Sequence, residues 1–178
     1  SILKGCFNNL DFRDQLGLSG VNSINWARVV AQIVYYFTSA VVLGAPHRKV
    51  SFTVPTGNFG DILAGYVAKR MGLPIGRLVI ATNENDILAR TLDEGAYEVR
   101  GVHATQSPSM DIQVSSNFER LMFDACGRDA SMVRAMMASL SQSGRFDLPP
   151  AMLSKITEEF DAYRTGETGT AKEMARVW

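Results

Sequence analysis

A short turn with two glycines contains the residues best suited to binding chemistry. It has the sequence Pro55-Thr56-Gly57-Asn58-Phe59-Gly60-Asp61 and lies between a β-branched run and an apolar helical pattern. A strand that leads directly into a helix aims free backbone N–H groups and the positive end of the helix dipole at one point, which favours a phosphate or another anion. Glycines at 57 and 60 would permit unusual backbone angles and a close anion. A plain strand-to-helix turn is an equal alternative.

A second group of polar residues precedes an apolar periodic segment. It has the sequence Asn22-Ser23-Ile24-Asn25-Trp26-Ala27-Arg28. Two amides, a hydroxyl and a guanidinium within about two helical turns could hold a phosphate through charge-assisted hydrogen bonds. Helix capping with a surface arginine explains the same residues, and the residue types alone favour that explanation.

Composition and the remaining motifs exclude several classes of function. Lys plus Arg and Asp plus Glu both number 18, so a nucleic-acid or acidic-membrane binder is not expected. The turn is neither a Walker A motif nor a GxGxxG fingerprint. His47, His103, Cys6 and Cys126 have no metal-ligand spacing, so we expect no metal site. Reduced cysteines and the lack of a long apolar stretch indicate a soluble, cytoplasmic protein.

Alternating helices and strands must position the two polar groups. The periodicity predicts an α/β fold with a parallel βαβ sheet, because its strands and helices alternate with short turns. The predicted elements are helix 26–41, strand 49–55, helix 62–71, strand 77–82 and helix 86–92.

The last third of the chain has a different pattern. Asn117 is expected to cap a helix, and amphipathic helices are predicted over 130–140 and 150–163. We therefore expect residues 1–129 to be part of an α/β domain and residues 130–178 to be a helical appendage of the same domain. The chain stops inside a helical pattern, so its ends are expected to be cuts.

The two polar groups resemble motifs of the threonine synthase family, in its longer bacterial and fungal type. The resemblance covers most of residues 5–124 and is specific in two stretches, 22–37 and 54–61. Further stretches support it, namely Ala64 to Pro74, Ala81 to Asp86, and Ser107 to Ile112 leading to Ser116 to Leu121.

The resemblance implies a pyridoxal-phosphate enzyme of the tryptophan-synthase-β fold type. Such an enzyme converts O-phospho-L-homoserine and water into L-threonine and phosphate, with the cofactor as electron sink. The residues implied to bind the cofactor phosphate are Gly57, Asn58, Phe59, Gly60 and Asp61. Those implied to face the phosphate of the substrate are Asn22, Ser23, Asn25 and Arg28.

The chain lacks two pieces of the family's active site. The family has a Schiff-base lysine in a Ser-Phe-Lys-Asp-like motif and a threonine in an Asp-Pro-His-Thr-Ala-like motif, and neither motif is present. We therefore expect an internal segment, inactive alone, that needs the remainder of its own polypeptide. A non-catalytic module that binds phosphate or a phosphometabolite is the alternative. Gly57→Val is expected to abolish cofactor binding by filling the space for the phosphate.

Overall fold

The computed structural model describes residues 2–20 and 22–178, without the side chains of residues 3 and 4. The helices are α1 (Ile2–Asn8), α2 (Leu10–Leu16), α3 (Trp26–Val42), α4 (Gly60–Arg70), α5 (Ile87–Glu94), α6 (Phe118–Ala125), α7 (Ala130–Ser143), α8 (Pro150–Glu159) and α9 (Glu167–Val177). The strands are β1 (Val50–Pro55), β2 (Ile75–Thr82), β3 (Ala96–Glu98), β4 (Arg145–Asp147) and β5 (Phe160–Arg164), and a 3-10 turn covers Pro108–Met110.

The main sheet has the order β1-β2-β5, and both of its strand pairs are parallel. In the register, Val54 lies beside Ile80, which in turn lies beside Ala162. The predicted α/β class with a parallel βαβ core is therefore confirmed. Parallel strands bring their carboxyl ends to one edge, so the chain leaves β1 and β2 on the same side of the molecule.

The C-terminal third corrects one predicted helix boundary. α8 ends at Glu159, and residues 160–163, predicted as helix, belong to β5 beside β2. Phe160 is almost fully buried, and it pairs with Leu78 far away in sequence. Such long-range pairing overrides local periodicity. The region 130–178 contains the predicted helices and also two strands, β4 and β5.

Two features of the first 42 residues also differ from the predictions. Helices α1 and α2 were not predicted. Helix α3 is present, but only part of its apolar set faces the core: Val29 and Ile33 are buried, whereas Val30 and Val34 are exposed. The apolar residues of α3 therefore cover a wider part of its surface than the part that packs against the core of this chain.

Three phenylalanines pack behind the glycine turn. The ring centroid of Phe59 lies 5.4 Å from that of Phe118 and 5.5 Å from that of Phe160. All three side chains are among the most deeply buried in the described residues. Burying an aromatic side chain contributes roughly 1.5–3 kcal/mol, so this cluster fixes the turn firmly against the sheet.

None of the helices in the described residues is long and apolar enough to cross a membrane.

Candidate anion-binding pocket

The turn between β1 and α4 presents a row of unpaired backbone donors. The N–H groups of residues 57–62 make no hydrogen bond within the described part of the chain. Thr56 closes the strand, since its N–H donates to Ala81 O over 2.8 Å. The first amide of α4 with a partner is that of Leu63, which donates to Phe59 O. The predicted cluster of free N–H groups at a helix start is therefore present, and it can bind an anion.

The backbone angles of the turn differ from those expected. Phe59, and not Gly57 or Gly60, adopts the left-handed conformation, with φ of 62°. A phenylalanine accepts this strain because its ring is buried in the aromatic cluster.

The two glycines instead make room for neighbouring backbone. A Cβ atom on Gly57 would lie 3.0 Å from Ser109 O, and one on Gly60 would lie 3.3 Å from Ser23 O. Both glycines therefore allow other segments to pack closely against the turn. These two segments, around Ser23 and Ser109, also contribute to the pocket in front of the turn.

The second polar group divides into capping and pocket-lining residues. Asn25 caps α3, because its side chain accepts a hydrogen bond from Ala27 N over 2.9 Å. The side chain of Asn22 accepts from Ile24 N over 3.2 Å. Ser23 and Arg28, by contrast, line the pocket in front of the glycine turn. The structure thus brings the two motifs together, with the two asparagines shaping the local backbone.

The pocket has a volume of about 170 Å³ and three walls. The turn and the start of α4 form one wall, Ser109 another, and the segment with Ser23 and Arg28 the third. Among the described residues that line it, Arg28 is the basic one. These residues are Ser23, Arg28, Gln32, Pro55, Thr56, Gly57, Asn58, Phe59, Gly60, Asp61, Ile62 and Ser109. Free N–H groups and an arginine that line the same pocket suit a tetrahedral oxyanion.

Asp61 is the acidic residue in this lining. Partial desolvation raises the pKa of its carboxyl, and a hydrogen bond with Tyr36 opposes that shift. The Tyr36 hydroxyl also donates to the backbone oxygen of Asp61 over 3.0 Å.

A polar cluster holds the loop that carries Ser109. Asp111 Oδ1 accepts from Asn83 Nδ2 over 2.8 Å and from Asn85 Nδ2 over 3.0 Å, while its Oδ2 accepts from Thr105 N over 2.8 Å. The hydrogen bonds from Thr105 hold the pKa of Asp111 below its ordinary value. Sequence reasoning did not single out this cluster, although its polar residues directly after β2 were a signal, because ligands bind at that end of parallel strands.

Asn117 occupies the predicted N-cap position of α6, but its side chain does not cap that helix. It donates instead to carbonyl groups in both motifs of the pocket. The amide is fully buried. A single-sequence pattern cannot distinguish this role from capping.

The lysine and histidine side chains that the structure describes lie outside this pocket. None of Lys49, Lys69, Lys155 and Lys172 lines the pocket. Lys69 pairs with Glu159, and Lys155 donates to Ala125 O. The side chain of Lys4 lies outside the described residues. His47 and His103 are exposed, and no group of His, Cys, Asp or Glu in the described residues could hold a metal ion.

Sequence comparison identifies close relatives but no matching family model. The threonine synthase of Pseudomonas aeruginosa is 46% identical over 177 residues, which are 99% of this chain and 38% of that protein. The threonine synthase of Saccharomyces cerevisiae is 43% identical over 189 residues, covering 99% of this chain and 37% of that protein. The chain therefore spans well under half the length of the curated relatives it matches.

Solved structures give the same result. A PLP-bound threonine synthase from Brucella melitensis superposes with a TM-score of 0.92 and 67% identity, covering 95% of this chain and 36% of that one. The yeast threonine synthase has a TM-score of 0.86 and 43% identity, covering 96% of this chain and 36% of that one. The expected resemblance is confirmed at both levels.

Proposed function

We propose that this chain, which is homologous to a segment of the threonine synthases, forms the phosphate-binding part of such an enzyme. The complete polypeptide would convert O-phospho-L-homoserine and water into L-threonine and phosphate. One observation carries the proposal: unpaired N–H groups of residues 57–62 and the guanidinium of Arg28 border one small pocket. Similarity to threonine synthases over nearly the whole chain supports the choice of reaction.

The pocket fits the phosphate group of pyridoxal phosphate. Residues 57–61 would hold that phosphate through their backbone N–H groups, with no need for a basic side chain in the turn. A side chain at position 57 would push the Ser109 segment away, and that segment lines the pocket. When bound, the cofactor supplies an electron sink for the loss of protons from carbon.

The opposite wall of the pocket suits the phosphate of the substrate. We assign Ser23 and Arg28 to direct contact with it, because both line the pocket. Asn22 and Asn25 would act on the same group by fixing the turn that presents Ser23. A fixed phosphate orients the leaving group and lowers the entropy cost of reaction, and Arg28 would stabilise the charge of the departing phosphate.

Other parts of the site must come from the remainder of the polypeptide. No lysine with a described side chain lines the pocket, so the lysine that the reaction needs is expected there. The chain matches only 36–38% of the four relatives named above, which leaves ample sequence for these groups. The proposed location of the protein is the cytoplasm. Cys6 and Cys126 are both free thiols, which is the usual state of cysteines in reducing compartments.

The test uses the complete polypeptide that contains this segment. Purified protein is incubated with pyridoxal phosphate and O-phospho-L-homoserine, and threonine and phosphate are quantified. We expect equal amounts of both products and covalent attachment of the cofactor after borohydride reduction. Tight binding of inorganic phosphate without cofactor attachment or threonine formation would overturn the proposal and favour a non-catalytic phosphate-binding module.

A further inference from the structure

Asn117 connects the two walls of the pocket from behind. Its Nδ2 donates to Ser23 O over 2.8 Å and to Asn58 O over 2.9 Å. Its backbone N–H also donates to Asn58 O over 3.1 Å. The side chain is fully buried and does not line the pocket. One amide group therefore uses both of its hydrogens to tie two segments that are more than thirty residues apart in sequence.

Arg120 fixes the orientation of that amide. Its Nη1 donates to Asn117 Oδ1 over 2.6 Å, so the amide nitrogen must face the two carbonyl groups. Its Nη2 donates to Ile24 O over 2.7 Å, and the guanidinium lies 5.5 Å from the ring centroid of Trp26. Arg120 thus holds the segment that precedes Arg28 through two contacts, one with the carbonyl group of Ile24 and one with the ring of Trp26.

The close approach of these segments depends on Gly60. A Cβ atom there would lie 3.3 Å from Ser23 O and 3.4 Å from Asn117 Nδ2. Gly60, the first residue of α4, therefore leaves room for Ser23 and Asn117 to pack against the turn. Asn117 directly precedes α6 and Arg120 lies three residues later in its first turn, so the start of one helix carries both contacts.

We propose that Asn117 and Arg120 act as a positioning clamp, which sets the separation between the turn at 57–61 and the segment at 23–28. The clamp would fix the distance between the cofactor phosphate and the substrate phosphate, and this inference rests on the proposed function. Neither residue lines the pocket, so both act through the backbone they hold. Displacing a reactant by about 1 Å can cost a hundredfold in rate, so such a clamp has a measurable effect.

Asn117→Asp is the first test variant, made in the complete PLP-loaded enzyme. The substitution keeps the shape but places an acceptor against two carbonyl oxygens, so both walls of the pocket should shift. We expect the KM of the phosphorylated substrate and the Kd of pyridoxal phosphate each to rise by about tenfold or more. The inhibition constant of inorganic phosphate should rise in parallel with that KM.

Arg120→Met is the second variant, and it separates the two walls. It releases Ile24 and Trp26 but leaves the backbone hydrogen bond from Asn117 N to Asn58 O. We expect a KM increase of about tenfold, with the Kd of pyridoxal phosphate changed by less than about twofold. Hydrogen exchange of the amides at 22–28 should accelerate, while the melting temperature falls by only a few degrees, about the cost of leaving Asn117 Oδ1 without its donor. Arg134→Met, on the exposed surface of α7, is the control and should change none of these quantities.

The outcomes separate this inference from the proposed function. A wild-type enzyme without threonine formation would defeat the proposed function itself. An active wild type whose Arg120→Met variant keeps its KM and its exchange rates would overturn the clamp. If Asn117→Asp fails to fold, the Arg120→Met variant alone decides the question. Arg120 is partly exposed, and replacing it leaves no buried charge without a partner.

Discussion

At the scale of single residues, the pocket combines one strained backbone position with one positively charged side chain. Phe59 carries the left-handed conformation of the turn, and the aromatic cluster behind it keeps that conformation in place. Arg28 supplies the positive charge among the lining residues. These two residues can be tested separately, because Phe59 shapes the turn that carries the N–H donors, whereas Arg28 contributes a side chain to the pocket.

Arg28→Met should weaken binding of the phosphorylated substrate. A hydrogen bond to a charged group contributes about 1.5–3 kcal/mol, so we expect KM to rise by about tenfold to a hundredfold. Steady-state kinetics of the complete enzyme measure this, and the inhibition constant of inorganic phosphate provides a second readout. Arg134→Met serves as control. An unchanged KM would show that Arg28 does not contact the substrate.

Gly57→Ala should weaken cofactor binding through the neighbouring loop. The new Cβ would lie 3.0 Å from Ser109 O and 3.3 Å from Met110 Cα, so that loop must move. We expect a loss of about 1–3 kcal/mol in unfolding free energy and a higher Kd for pyridoxal phosphate, with a larger effect for Gly57→Val. Thermal unfolding and cofactor titration measure both.

Gly101→Ala is a matched control for this substitution, since a Cβ there would meet nothing within 4 Å. Equal changes in unfolding free energy and in the Kd of pyridoxal phosphate for the Gly57 and Gly101 variants would contradict the assigned role of Gly57.

At the scale of elements, the ends of the parallel strands are stabilised by polar side chains. Asp111 holds the loop beside β2, while Arg77 on β2 holds β5. Arg77 Nε donates to Asp161 Oδ2 over 2.9 Å, and its terminal nitrogens donate to the backbone oxygens of Glu158 and Phe160. The junction of α8 and β5 therefore depends on one guanidinium.

The loop at 101–112 should become less protected in acid. The pKa of Asp111 in the folded chain lies below its unfolded value of about 3.9, so the carboxylate stabilises the loop fully above that pH. The stabilisation is lost as the pH falls through the folded pKa. Asp111→Asn should remove this acid-dependent component. Hydrogen exchange of the loop against pH measures it, and parallel profiles for variant and wild type would contradict the role of Asp111.

Arg77→Met should loosen β5 without unfolding the sheet. The guanidinium is partly exposed, so we expect a loss of only about 1 kcal/mol in local opening free energy. Hydrogen exchange should accelerate for the amides at 160–164 and stay constant for those of β1. Uniform acceleration across the whole sheet would instead indicate a global loss of stability.

At the scale of the whole molecule, the chain provides candidate anion-binding groups in a pocket to which none of its described lysines contributes. We expect residues 1–178, expressed alone, to form no threonine. Borohydride reduction with pyridoxal phosphate should label no single lysine selectively. Peptide mass spectrometry checks this, with the complete polypeptide as positive control. Selective labelling of one lysine of this chain would contradict the expectation that the reactive lysine lies elsewhere.

Local sequence determined much of this protein. Helix α3, the strands β1 and β2, and the turn into α4 follow from capping residues, periodicity and glycine positions, which act between near neighbours along the chain. The resemblance to threonine synthases likewise depended on two short motifs, and the relatives confirm it. The candidate anion site could be proposed because a strand, a turn and a helix start are contiguous in sequence.

Only the tertiary structure decided which residues surround that site. β5 is a strand because Phe160 and its neighbours pair with β2, a contact between residues about eighty positions apart. Gly57 and Gly60 are needed for packing against Ser109 and Ser23, and Asn117 bridges two motifs instead of capping α6. The physical reason is the same in each case. Periodicity and capping depend on neighbours along the chain, whereas close packing and shared hydrogen bonds depend on distant segments that meet only after folding.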